Sequence, residues 1–227
     1  MLRSRRTWEL GAAVALSLAI ASVAAVLSSA AGTRVTLVSK SSTGEPADGN
    51  SRLRANGGSI SRDGRLAVFS SDSANLPQGD GTTDRCYVRN LRTGKTRLVS
   101  VTSDGTPATG QAQNPSISAN GRFVGFSGNG EGLPGADPVY DQSWVHDLKT
   151  RKTRLISRAP SGDPASGGTS EYPSFSADGR FAAFQSSATN LPGSGGGGEI
   201  VYVRHLERNS TRGGSRTAGG DAGYGSV

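Results

Sequence analysis

The apolar positions of this chain recur in blocks. Leu66-Ala67-Val68-Phe69, Phe123-Val124-Gly125-Phe126 and Phe181-Ala182-Ala183-Phe184 each follow a polar turn of one kind. The turns read Ser59-Ile60-Ser61-Arg62-Asp63-Gly64-Arg65, Ser116-Ile117-Ser118-Ala119-Asn120-Gly121-Arg122 and Ser174-Phe175-Ser176-Ala177-Asp178-Gly179-Arg180. From Gly64 to Gly121 is 57 residues, and from Gly121 to Gly179 is 58. Asp-Gly and Asn-Gly predict type I′ hairpins, with both central residues at positive φ. Each turn thus joins a short first strand to an apolar second strand. Those second strands do not alternate with polar residues, which predicts sheets covered on both faces.

A looser loop follows, with Leu76, Leu133 or Leu191 each eleven positions before an aromatic residue, Tyr87, Trp144 or Tyr202. The aromatics open third strands: Tyr87–Leu91, Trp144–Leu148 and Tyr202–Leu206. Fourth strands are predicted at Thr96–Ser100 and Thr153–Ser157. The third copy, Thr211-Arg212-Gly213-Gly214-Ser215, carries two glycines where Leu and Val or Ile stand, which predicts a weak strand. Linkers also recur, as Gly44–Gly49, Gly105–Gly110 and Gly162–Gly167, with a degraded copy at Gly220–Gly225. Val35-Thr36-Leu37-Val38-Ser39, before the first linker, reads as a fourth strand without a sheet of its own.

An inner strand ending in Ser-x-Asp-Gly-Arg, an apolar strand, an aromatic-led strand and a Thr-Arg-Leu-Val-Ser strand resemble the WD40-like repeat of TolB-type β-propellers. Asn120 for Asp and the Gly213-Gly214 pair depart from that pattern. The resemblance covers residues 33–225 and implies an all-β fold, a partial β-propeller of three four-stranded antiparallel blades plus an orphan outer strand. The blades are expected at about 57–100, 114–157 and 172–215. Propellers close with four to eight blades, so three blades predict either a truncated piece of a larger propeller or self-association that completes the ring.

Residues 1–31 read as a signal peptide, or as an N-terminal membrane anchor. Arg3, Arg5 and Arg6 precede an apolar run from Leu10 to Leu27, and small residues follow at Ser28–Gly32. Cleavage is expected after Ala30 or Ala31, and the protein is then secreted or held in the cell envelope. A membrane association is expected only where the leader is uncleaved.

The 227 residues include 33 Gly and are 33% hydrophobic, in keeping with many short strands and tight turns. The formal charge of +7 falls to +5 without the leader, 22 basic against 17 acidic residues, and the charges are interspersed. That pattern does not predict a nucleic-acid partner. Cys86 is the one cysteine, so no intrachain disulfide forms. It aligns with Ser143 and Val201 as a small strand residue.

No motif for catalysis stands out. His146 and His205 fall on ordinary third-strand positions, and neither His-Glu-x-x-His nor Gly-x-Ser-x-Gly occurs. Gly193–Gly198 lacks the strand and helix that a dinucleotide loop needs and reads as a flexible loop. Asn209-Ser210-Thr211 has the form of a glycosylation sequon. Asp80, Asp84, Asp137 and Asp141 recur after the loop leucines and are the candidates for Ca²⁺; the alternative is that they end the loops and pair with nearby arginines. No catalytic residue, cofactor or metal is predicted.

Three functions compete on this reading. The first is a non-catalytic protein-interaction or scaffold module of the cell envelope or exterior, with a protein partner; it rests on the export signal, a repeat fold that builds broad surfaces and the lack of a site motif, and the resemblance to TolB-type propellers implies the same by analogy. The second is a ligand-binding or hydrolytic propeller acting on glycans or peptides. The third is a piece of a larger propeller without independent function.

Overall fold

In the computed structural model, residues 35–53, 58–194 and 198–213 are described. The leader, residues 195–197 of the glycine loop and the linker copy at 220–225 lie outside them. The described residues contain twelve strands, β1 to β12, and no helix. They form three four-stranded antiparallel sheets, each taking its strands in sequence order.

The first sheet holds β1 (Ser51–Arg52), β2 (Leu66–Ser71), β3 (Arg85–Asn90) and β4 (Thr96–Leu98). The second holds β5 (Gln113–Ile117), β6 (Phe123–Gly128), β7 (Gln142–Asp147) and β8 (Lys152–Leu155). The third holds β9 (Ser170–Phe175), β10 (Phe181–Ser186), β11 (Ile200–His205) and β12 (Ser210–Gly213). The expected four-strand unit is present three times.

One cross-strand pair anchors each sheet. Phe69 lies opposite Tyr87, Phe126 opposite Trp144, and Phe184 opposite Tyr202. Their rings stack with centroids 5.6, 5.9 and 5.7 Å apart. Such a pair contributes about 0.5–1.5 kcal/mol beyond its buried area. The face bearing this pair is called the front of each sheet, and the opposite face the back.

The sheets pack back to front. Val68, Val88 and Val99 on the back of the first sheet form one apolar cluster with Val124, Phe126 and Trp144 on the front of the second. Phe123, Val145 and Ile156 on the second sheet's back do the same with Ala182, Phe184 and Tyr202. The front of the first sheet is covered in part by Val38 and Ala47, which pack with Phe69, Tyr87 and Leu98. β2 and β6 are therefore buried along both faces, as their apolar runs predict. β10 differs: burial alternates along it, because among the described residues no sheet covers its back.

Three local expectations are corrected. In the Ser-x-Asp-Gly-Arg turns only Gly64, Gly121 and Gly179 have positive φ, at 67°, 69° and 71°. Ser61 N donates to Leu66 O at 2.9 Å and Gly64 N to Ser61 O at 2.9 Å, which makes a four-residue loop rather than a type I′ turn. Asp63 Oδ1 accepts from the Ser61 hydroxyl and from Arg65 N, and this holds the aspartate itself in an ordinary conformation. Second, Val35–Ser39 forms no strand; Ser39 O accepts from Ala47 N at 3.0 Å, and the next residue, Lys40, makes an isolated bridge with Pro46. Third, the first sheet's first strand is Ser51–Arg52, and Ile60 contributes only a bridge to Ala67. Seven residues separate Arg52 from Ile60, whereas three separate Gln113 from Ile117, so an insertion interrupts that strand. The predicted weak strand does form as β12, paired to β11 from Ser210 to Gly213.

Candidate functional site

Two features stand out: a polar device repeated where the chain enters each sheet, and a back on the third sheet that no other sheet covers among the described residues.

The device joins residues far apart in sequence. Thr96, at the start of β4, donates its hydroxyl to Lys40 O at 2.5 Å, and Arg89 Nη1 donates to Thr96 Oγ1 at 2.8 Å and to Lys40 O and Ser41 O at 3.0 Å each. Thr153 donates to Val101 O at 2.5 Å with His146 Nδ1 2.9 Å from its oxygen. Thr211 donates to Arg158 O at 2.9 Å and accepts from Arg204 Nη1 at 2.5 Å. Each time, the third- and fourth-strand residues of one sheet hold the chain that leads into that sheet. The hydroxyl proton of Thr153 goes to Val101 O, so His146 carries its neutral proton on Nδ1 and donates it.

His146 is buried, and desolvation pushes its pKa down to about 4 against the pull of Asp147, with Arg97 adding to the fall. Burial likewise lowers Arg204 to about 10, with Arg158 and Arg154 contributing. His146 also borders a groove of about 390 Å³ whose wall includes Pro77, Leu98, Val101, Asp104 and Arg151. His205 plays a different part: its ring meets Phe181 edge-on at 4.8 Å, and its Nδ1 accepts from Glu207 N and Arg208 N.

Three of the four candidate carboxylates bind groups of their own loops or nearby strands. Asp80 Oδ1 accepts from Thr82 N and Thr83 N, and its Oδ2 pairs with Arg85 at 2.8 Å, contacts that hold its carboxyl far below the usual range. Asp84 pairs with Arg52 at 2.8 Å and accepts from Gln113 Nε2. Asp137 Oδ1 accepts from Val139 N and Tyr140 N, closing its own loop. Burial raises the pKa of the Asp141 carboxyl, and the backbone carbonyl of Asp141 accepts from Ser170 N at 2.7 Å. Among the described residues no three His, Cys, Asp or Glu side chains gather as a metal ion requires.

Cys86 occupies a junction position. Its Sγ donates to Ala112 O at 3.2 Å, and Ser143 Oγ, its counterpart, donates to Ser170 O at 2.9 Å. Burial raises the thiol pKa well above the ordinary value, with Asp84 adding to the rise. The third counterpart, Val201, is 45% exposed, whereas Cys86 and Ser143 are fully buried.

That exposure marks the uncovered back of the third sheet. Phe181, Ala183 and Gln185 of β10 lie opposite His205, Val203 and Val201 of β11, and all six are half-buried or exposed. Their counterparts in the second sheet, Phe123, Gly125 and Ser127 of β6 and Ser143, Val145 and Asp147 of β7, are all buried. The sequence aligns Val201 with Cys86 and Ser143, and an apolar residue out of step there was the available sign. The junction device left no such sign, because its partners lie some 50 residues apart.

No protein-family model matches the chain, and no curated protein matches it.

Proposed function

We propose that this chain is an exported repeat protein of the β-propeller type whose work is binding rather than turnover, a protein-interaction or scaffold module of the cell envelope or exterior. One observation carries the reading. The polar side chains that recur in the repeats are spent on holding turns and junctions. Asp63, Asn120 and Asp178 each accept from a serine hydroxyl and from the arginine amide after the glycine. Arg89, His146 and Arg204 serve the fourth-strand threonines. Asn120 Nδ2 donates to Asp178 O at 3.0 Å, a junction contact that an aspartate there could not make. What this construction leaves for function is surface. The repeat order, the back-to-front packing and the resemblance to TolB-type repeats support a propeller architecture, and the Arg-rich leader with its apolar run supports export.

The test is cross-linking in intact cells followed by capture of the tagged chain. The expected result is a discrete adduct with another envelope or secreted protein. Measurable turnover of a glycan or peptide panel by the purified protein, with no adduct above control, would overturn the reading.

A further inference from the structure

Among the described residues from Leu37 onward, five large hydrophobic side chains are well exposed: Leu37 at 51%, Leu53 at 58%, Ile60 at 55%, Val139 at 74% and Val201 at 45%. Val139 sits in the loop before β7. The other four lie at the two free ends of the row of sheets. Ile60 makes an isolated bridge to Ala67 of β2 and Leu53 follows β1, both at the first sheet; Leu37 precedes Val38, which packs on that sheet's front. Val201 lies on the back of the third sheet. Exposed apolar side chains scattered singly are ordinary, whereas their collection at sheet ends marks surfaces that meet something.

The junctions inside the chain show what fits such ends. Ile117, the counterpart of Ile60, is 4% exposed and belongs to the apolar cluster that includes Val68 and Val88 of the sheet before it. Phe175, the next counterpart, stacks on Phe123 at 6.3 Å, again across a junction. A Cβ on Gly125 would lie 2.9 Å from Pro173 Cβ and 3.0 Å from the Phe175 ring. By register, Phe181 and Ala183 correspond to Phe123 and Gly125, and Gly58 and Ile60 to Pro173 and Phe175. The back of the third sheet therefore presents the half-junction that Ile60 lacks. The first sheet already carries the other parts of a junction: its Arg89–Thr96 pair grips Lys40 as the corresponding pairs grip Val101 and Arg158.

We infer that the back of the third sheet receives the first sheet of a second copy of this chain, and that two copies close front-to-back into a ring of six sheets. Ile60 of one copy then rests on Phe181 and Ala183 of the other, and Val201 faces Ser51. Six lies within the range in which propellers close. A heterologous contact of this kind either closes into a ring or runs on as a filament. The inference rests on the propeller reading, but binding to an envelope protein stands or falls separately, so the two failures are distinguishable.

The test uses full-length chains carrying Cys86→Ser, one with Gly58→Cys and one with Ala183→Cys. Gly58 and Ala183 are the counterparts of Pro173 and Gly125, whose Cβ positions come together at the inner junction. Oxidation of the mixture is expected to give a disulfide-linked dimer, with little from either chain alone. Chains that keep the parent unfolding midpoint yet give no dimer on mixing would overturn the inference. So would equal dimer from Ala183→Cys alone, which reports back-to-back contact instead.

Discussion

His146 stands where the other repeats have arginine, and it makes stability depend on pH. Its folded pKa, near 4, lies below the unfolded value near 6.5, so the folded state prefers the neutral ring. The stabilisation is complete above about pH 6.5 and is lost as pH falls towards 4, on the order of 3 kcal/mol in all. Urea midpoints for wild type and His146→Gln, measured from pH 7 to 4, should converge as pH falls. Parallel curves would show that the ring does not titrate in this way. Cys86 gives a second residue-scale expectation. A fully buried thiol with a raised pKa should resist aromatic disulfide reagents in the native chain and react only as the chain unfolds. Prompt labelling of the native protein would contradict its placement.

The elements were legible in unequal measure. The apolar runs and aromatic-led strands were plain, because those residues pack locally against their cross-strand partners. The insertion in the first sheet blurred β1, since the residues that pair with Ser70 and Ser71 lie well before the expected strand. Val35–Val38 has strand composition, yet composition makes no strand without a neighbour to accept its hydrogen bonds. The Arg or His, Thr and carbonyl device was illegible, because it joins residues that only the packed sheets bring together. Gly125 shows the limit of reading by repeat. Its counterparts are Val68 and Ala183, so the repeat pattern invites a larger residue. The structure places Pro173 and Phe175 against it, so Gly125→Val should destabilise by about 1–3 kcal/mol through overpacking. A urea midpoint equal to or above wild type would show that the junction has room to yield.

At the scale of the molecule, the three sheets pack in a row, and among the described residues nothing like a further sheet covers the back of the third. Strands covered on both sides are buried along nearly their whole length, as β2 and β6 are, and burial alternates where one face is uncovered, as along β10. Val201→Asp places a charge on that face. The substitution should change the stability of a single chain by no more than about 0.5 kcal/mol, as for surface changes elsewhere, but should abolish association. Loss of the fold in this variant, read by circular dichroism, would mean that the face is part of a core within one chain. The mass in solution tests the central claim most directly. Sedimentation equilibrium of the full chain, 23.2 kDa, should give twice that mass for the wild type and the single-chain mass for Val201→Asp. A wild type that stays at the single-chain mass at every concentration, or that runs on to larger polydisperse species, would contradict the closed pair.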